Sequence, residues 1–305
     1  MNLRELQYLV AIDEELHFNK AAERCFVSQP TLSGQLKKLE QELNVVLVER
    51  NTRHVVMTEV GAVIAESARK VLFEINNIRD IAATFQDPMV GDLNVGLIPT
   101  VAPYLLPFIM PAMRAQYPGM KLWLHEYQTS VLLEKLKRAE LDFLILALPV
   151  DTDEFSQLSL FEEAFELAVP AQLADKALFK QSSIKLEDLA NQEMLLLEEG
   201  HCLRGQALDV CFMAGATESS GFHASSLETL RHMVGEGLGM TLIPELAVPV
   251  KQSKQDDIRY IPFESPVPGR EIGLLYRKGS YRETAFMNIQ TLIQSAVRER
   301  IKSAV

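Results

Sequence analysis

The chain has little of what marks a secreted, membrane-spanning or uniformly basic protein. It holds three cysteines in 305 residues, too few for the disulfide framework of a small secreted domain. No apolar run is long enough to span a bilayer, and no N-terminal stretch reads as a signal peptide. A cytoplasmic location is expected, where any disulfide is transient. Positive charge is not in excess: 30 Lys and Arg stand against 41 Asp and Glu, a formal charge of −11. That excludes a protein basic throughout but leaves room for a local nucleic-acid surface. Residues 1–58 hold 7 basic and 8 acidic side chains, and the other 247 hold 23 and 33, so the acid load lies outside the N-terminus. No long repeat or low-complexity tract is present. With 48% hydrophobic residues over this length, two or three domains with substantial cores are expected.

The few cysteines are concentrated. Cys202 and Cys211 lie nine residues apart in Gly200-His201-Cys202-Leu203-Arg204-Gly205-Gln206-Ala207-Leu208-Asp209-Val210-Cys211. Cys202 has His201 before it and Arg204 two places after, and cationic neighbours stabilise the reactive thiolate. Cys211 sits between Val210 and Phe212. One exposed, activated thiol and one buried thiol read as a redox pair; two ordinary core cysteines are the competing reading, since free Cys is mostly buried and inert. Cys202, Cys211, His201 and His223 lack the ligand spacing of a zinc site. A papain-like nucleophile needs a Cys–His pair oriented by a third group, and side chains adjacent in sequence rarely meet productively. A thiol peroxidase stays open, because oxidation by peroxide is its first step.

Leu3, Leu6, Leu9 and Val10 recur at helical spacing. A second short helix follows Phe18, with Ala21, Ala22 and Cys25 inward. The third begins at Ser28, a capping hydroxyl, with Pro30 in its first turn. Leu32, Leu36, Leu39 and Leu43 form its buried stripe. Gln29, Thr31, Ser33, Gln35, Lys37 and Lys38 face outward, side chains suited to base edges and phosphates. Residues 45–48, the basic tip Arg50-Asn51-Thr52-Arg53-His54, and Val55-Val56 read as a hairpin. Residues 1–58 are thus expected to form an all-α winged helix-turn-helix; a small helical domain with a solvated polar face is the alternative.

After Thr58, a candidate cap, Ile64, Ala68, Val71, Ile75, Ile78, Ala82 and Phe85 follow at alternating steps of four and three, up to Asp87-Pro88. This coiled-coil seam predicts a linker helix over 59–90 that pairs with a second copy, giving two DNA-reading helices for two half-sites. Residues 91–305 alternate apolar strands (92–98, 120–127, 141–148, 164–169, 193–198, 239–243, 257–262 and 271–277) with amphipathic helices near 100–116, 130–139, 204–214, 226–236 and 282–301. The pattern predicts α/β with largely parallel sheets in two small lobes. Ser225 and Glu228 are spaced as a capping box. Thr100, Thr129, His201 and Cys202 each follow a strand, where α/β folds collect ligands. For each threonine, service as a helix N-cap is the simpler reading.

His17-Phe18-x-x-Ala21-Ala22, Val27-Ser28-Gln29-Pro30-Thr31-Leu32-Ser33, Leu36-x-x-Leu39-Glu40 and Glu49-Arg50 closely resemble the LysR-type bacterial transcription regulators. The resemblance implies a DNA-binding activator, not an enzyme and without a cofactor, that works with RNA polymerase as a dimer or tetramer. It puts Gln29, Pro30, Thr31, Ser33 and Arg53 at or near double-stranded DNA. Lys37 and Arg50 join them as basic residues of the same helix face and wing. Cys25 is read as core. A regulatory region similar to periplasmic binding proteins is implied for 91–305, with lobe I at about 91–162 and 268–305 and lobe II at about 163–267.

Gly96-Leu97-Ile98-Pro99-Thr100-Val101-x-Pro103-Tyr104-Leu105-Leu106-Pro107, Glu199-Gly200-His201-Cys202-Leu203-Arg204 and Ser226-Leu227-Glu228-Thr229-Leu230-Arg231 resemble the peroxide-sensing branch of that family. Carried over by position, Cys202 resembles the peroxide-reactive cysteine and Cys211 its disulfide partner. Thr100, Thr129, His201 and Arg270 resemble the residues around the peroxide site. Hydrogen peroxide is then the signal, and a thiol reductant such as a glutaredoxin resets it. That branch often has an acidic residue where this chain has Gly205, and glycine loosens a helix start by about 1 kcal/mol. Leu203, Ala207, Val210, Cys211 and Ala214 share one helical face, so Cys211 is expected to be buried on a helix. Nine helical residues advance about 13 Å, whereas a disulfide needs Cα atoms within about 7 Å. The two thiols can join only if that helix refolds.

Overall fold

The structure, a computed structural model, describes residues 1–50, 55–84, 89–150, 153–173, 177–249 and 257–302. The chain divides into two compact units, Met1–Gln86 and Asp87–Val305.

The first unit starts with α1 (Leu3–Glu15), α2 (Phe18–Arg24) and α3 (Gln29–Leu43). Ser28 caps α3 as its chemistry predicts: its Oγ accepts the Thr31 N–H at 3.3 Å, which satisfies one of the free donors at the helix start. Leu32, Leu36 and Leu39 are sealed in a core with Leu9, Ile12 and Ala21, while Leu43 packs only at its edge. Strands β1 (Val48–Arg50) and β2 (Val55–Met57) pair antiparallel as the arms of the wing. The tip, residues 51–54 with Arg53, and the Arg50 side chain lie outside the described residues. Thr58 Oγ1 accepts the Gly61 N–H at 2.9 Å and caps α4 (Glu59–Thr84). A Cβ on Gly61 would lie 2.0 Å from the Leu47 carbonyl oxygen, so only glycine lets α4 begin this close to the wing.

The seam on α4 is divided. Ile64 packs with Ala65 against the core of this unit, and Ala68 is buried. The Arg69 guanidinium pairs with Asp13 and with Glu66, fastening the first half of α4 to α1. Farther along, Val71 and Ile78 are exposed. The Ala82 side chain and Phe85 lie outside the described residues. The seam's opening positions thus close their own domain, and its later ones remain available for a partner.

The second unit runs β3 (Gly91–Leu97), α5 (Ala102–Gln116), β4 (Met120–Glu126), α6 (Thr129–Lys137), β5 (Phe143–Leu148), β6 (Phe155–Pro170), β7 (Glu193–Leu197), α7 (Cys202–Ala214), β8 (Thr217–Ala224), α8 (Leu227–Gly235), β9 (Thr241–Pro244), β10 (Ile258–Pro262), β11 (Gly269–Arg277) and α9 (Glu283–Lys302). Among the described residues, seven strands form one hydrogen-bonded path, β10-β6-β11-β5-β3-β4, with β9 also on β6. The expectation of largely parallel sheets is corrected. β3 runs parallel to β4 and β5, and β7 to β8, but β11 is antiparallel to both β5 and β6, and β6 to β9 and β10. The reason is connectivity: β6 carries the chain out of one lobe and β11 brings it back, so these neighbours run in opposite directions.

Two separate cores lie along this path. One gathers Leu93, Leu97, Leu105, Leu144, Phe143, Ile272 and Phe286. The other gathers Phe165, Leu167, Leu196, Leu203, Leu227 and Ile261. Tyr104 packs against both. Leu246, from a short 3-10 turn after β9, belongs to the first core although Ile243 before it and Ala247 after it belong to the second. The phenolic O–H of Tyr104 also donates to Glu228 at 2.6 Å, so α5 and α8 are tied by apolar contact and by a hydrogen bond. The cap of α8 is Ser226, which accepts the Thr229 N–H at 3.2 Å. The Ser225–Glu228 box is therefore corrected by one residue, Glu228 being engaged by Tyr104 and Arg231 instead.

Candidate redox site and nucleic-acid face

Cys202 is the first residue of α7, after His201 at the N-cap. His201 is nine-tenths buried, and its side chain makes no capping bond. Cys202 is half-buried and packs against the first core, although the rest of α7 packs in the second. The thiol therefore lies where the lobes meet. Cys211 is sealed with Leu203, Ala207, Val210 and Ala214, the face that helical spacing predicts. Burial, with the nearby Glu218 carboxylate adding to it, pushes its thiol up to about 11. Phe212 lies 89% exposed while Val210 and Cys211 are sealed, so any refolding of α7 would newly uncover Val210 and Cys211 rather than Phe212.

Two threonines follow strands of the first lobe, and neither is an N-cap. The caps of α5 and α6 are Val101 and Gln128. Thr100, at the end of β3, is buried and held by Arg270 from β11: Nη1 donates to its Oγ1 and Nη2 to its carbonyl, both at 2.9 Å. Arg270 is itself anchored, its Nε donating to Glu163 Oε2 at 2.8 Å. The Thr129 hydroxyl is sealed from solvent and has no hydrogen-bond partner among the described residues. A buried polar oxygen left this way costs free energy unless a water or ligand meets it. Gly200 links this corner to Cys202. It sits at φ +96°, and a Cβ there would lie 2.5 Å from Gln128 Oε1. The close approach sets the segment before α7 against the start of α6.

The structure thus joins Thr100 to Arg270 directly and brings the Gln128–Thr129 and Gly200–Cys202 segments together. It corrects one sequence-based expectation. Arg204 is not a free cation for Cys202. It holds the Glu218 carboxylate with both Nη groups and donates to the Leu197 carbonyl at 3.0 Å. The Arg204 hydrogen bond in turn holds the Glu218 carboxyl below the usual carboxylate range. Glu163, Glu218 and Gln128 were missed by sequence reasoning. Only Gln128 had a signal, its place at a strand end beside Thr129.

On the first unit, Pro30, Thr31 and Lys37 are exposed, and Gln29 and Ser33 half-exposed, on the outer face of α3. Lys38 is held at 3.3 Å by the buried Glu5, leaving Lys37 as the better-placed cation of the two. Cys25 closes α2 at the edge of the core, and burial pushes its thiol up. No helix among the described residues is long and apolar enough to cross a membrane.

Exposed polar helix face, wing and two-lobed α/β unit meet in one class of protein. Residues 3–62 match the bacterial regulatory helix-turn-helix proteins of the lysR family, and residues 86–298 match the LysR substrate binding domain; the chain belongs to the LysR family of transcription regulators. Within that family it is similar to the hydrogen peroxide-inducible genes activator of Haemophilus influenzae, 45% identical over 99% of this chain and 98% of that one. It is equally similar, at 45% identity over 97% and 95%, to the DNA-binding transcriptional dual regulator OxyR of Escherichia coli. A solved full-length OxyR variant from Pseudomonas aeruginosa matches with a TM-score of 0.77 and 39% identity, covering 96% of this chain and 95% of that one.

Proposed function

We propose that this chain is a cytoplasmic transcription regulator that senses hydrogen peroxide by oxidation of Cys202 and answers by forming a Cys202–Cys211 disulfide. The observation that carries the reading is the placement of two thiols on one helix. Cys202 is half-buried where α7 meets the other lobe, and Cys211 is sealed in the core.

The Cys202 thiolate attacks one peroxide oxygen. The S–O bond forms as the O–O bond breaks, and the departing hydroxide takes a proton to become water. Thr100, Thr129, His201 and Arg270 supply the donors that this departing oxygen needs. The product is a sulfenic acid. The Cys211 thiol then attacks its sulfur, the S–S bond forms, and the sulfenic oxygen leaves with the Cys211 proton as water. A dithiol reductant such as a glutaredoxin returns the two electrons.

Because α7 is helical from Cys202 to Ala214, the second step requires its refolding. Refolding alters how copies of the chain associate, and with it the DNA and RNA polymerase contacts. Pairing through Val71 and Ile78 on α4 supports a dimer, and two dimers a tetramer. Gln29, Pro30, Thr31, Ser33, Lys37, Arg50 and Arg53 meet the DNA. One oxidation sets one switch, so the chain is a sensor and not a turnover enzyme.

Intact mass after peroxide, with and without dimedone, tests the reading. Wild type should lose two hydrogen atoms without the trap, and Cys202 should carry dimedone with it. Cys202→Ser should abolish the transcriptional response and Cys25→Ser should spare it. Dimedone on Cys211 and never on Cys202 would overturn the order of events.

A further inference from the structure

We infer that Glu163 is a positioning residue for the peroxide reaction, aiming the Arg270 guanidinium at Thr100; the inference rests on the peroxide-sensing reading above. Glu163 and Arg270 face each other in register on the crossing strands β6 and β11. Their side chains are 2% and 0% exposed. The Glu163 Oε2 oxygen takes the Arg270 Nε–H at 2.8 Å. A guanidinium is a rigid planar fork, so fixing Nε fixes where both Nη groups point. Here they point at the Thr100 hydroxyl and carbonyl. Because Thr100 Oγ1 accepts from Arg270, its own proton is left to point elsewhere, as a donor to a departing hydroxide must.

Glu163 is itself held from turning. Its Oε1 accepts the Leu246 N–H at 3.1 Å, and Leu246, although it follows β9 of the second lobe, is buried in the first core. The carboxylate therefore references the peroxide site to the lobe junction. Glu162, Glu245 and Glu271 line the cleft behind it, yet of these carboxylates it is Glu163 that bonds Arg270. Burial, together with the neighbouring Glu163, pushes the Glu245 carboxyl up. Two donors, Arg270 Nε–H and Leu246 N–H, converge on two acceptor oxygens. A glutamine turns its NH2 toward one donor or the other and cannot serve both.

The test compares two reactions of Cys202 in the reduced full-length chain: sulfenic acid formation with hydrogen peroxide, and alkylation by iodoacetamide, which expels no hydroxide. Glu163→Gln should slow the peroxide reaction by about tenfold to a hundredfold, the scale of a misplaced catalytic group, and leave alkylation unchanged. Glu163→Asp keeps both acceptor oxygens on a shorter arm and should fall between wild type and Glu163→Gln. An unchanged peroxide rate in Glu163→Gln overturns the proposal. So does an equal loss in both reactions, which marks a change in thiol exposure. If Glu163→Gln does not fold, Glu163→Asp decides: slowing confined to peroxide supports the proposal, and an unaltered peroxide rate sinks it. A wild-type peroxide rate no faster than that of free cysteine removes the sensing reading itself, and the proposal with it.

Discussion

Arg204 and Glu218 hold each other end to end, each Nη group of the guanidinium on its own carboxylate oxygen, the longer contact at 3.0 Å. The pair fastens α7 to β8, and His223 stands 3.5 Å from the same carboxylate. Arg204 lies within the stretch that must unwind before Cys202 and Cys211 can meet. On the proposed mechanism the clasp should therefore oppose disulfide formation and leave the first oxidation unchanged.

Glu218→Gln should accordingly weaken α7 by about 1 kcal/mol, the scale of a charge-assisted bond at a partly exposed site. Hydrogen exchange of amides 203–214 in the reduced protein should speed up by about fivefold. The step from sulfenic acid to disulfide should speed up as well, with the peroxide step unchanged. Unaltered exchange across α7 would show that the clasp carries no weight.

The buried Cys211 thiol gives α7 a dependence on pH. A thiol that ionises near 9 when unfolded and at about 11 when sealed favours the folded helix fully below pH 9. That contribution fades as pH rises from about 9 to about 11, because only the unfolded helix then gives up its proton freely. In Cys202→Ser, which cannot form the disulfide, α7 amide protection should be flat to about pH 9 and decline above it. At pH 8, Cys211 should alkylate roughly a hundredfold more slowly than a free thiol. Removing Cys211 as well should abolish the decline; a decline that persists would assign it to another group.

On the proposed reading, Gln29 and Ser33 on the outer face of α3 read bases, whereas Lys37 on that face and Arg53 in the sequence of the wing meet phosphate. Gln29→Ala and Ser33→Ala should change which operator sequences are preferred, by about 1–3 kcal/mol per lost base contact. Lys37→Ala and Arg53→Ala should weaken binding to all sequences and reduce the salt slope by about one each. Competition binding across salt concentrations separates the two. Full-length protein whose DNA binding ignores salt would contradict the domain assignment.

Much of α7 was legible from the sequence, because its five buried residues repeat at helical spacing and helices advertise themselves by period. The strands that were missed are the ones without that signal. β8 reads Thr217-Glu218-Ser219-Ser220-Gly221 before its first aromatic residue, and the first half of β6 mixes Ser, Gln and Glu with its apolar residues. Both look like loop until their partners are known. The ion pairs were hidden for a similar reason. Glu163 and Arg270 are 107 residues apart, and nothing local tells either which charge it will meet. The threonines were legible as strand ends but not as non-caps: Arg270 reaches Thr100 across the sheet, and α6 begins one residue early, so that Gln128 takes the cap position and Thr129 lies inside the helix.

The shared strand has a mechanical consequence. β6 is laddered to β11 over its first half and to β9 and β10 over its second, with one irregularity opposite Ile272 and Gly273. Swinging one lobe against the other would break rungs of that ladder, at about 1 kcal/mol each. The regulatory unit is therefore elastic rather than jointed: it resists bending at the place where open-and-shut receptors yield. On the proposed mechanism, drawing the two thiols together would load α7, the helix that carries both, rather than the β6 ladder. The signal would then leave as a change in surface relief, with the frame beneath keeping its shape.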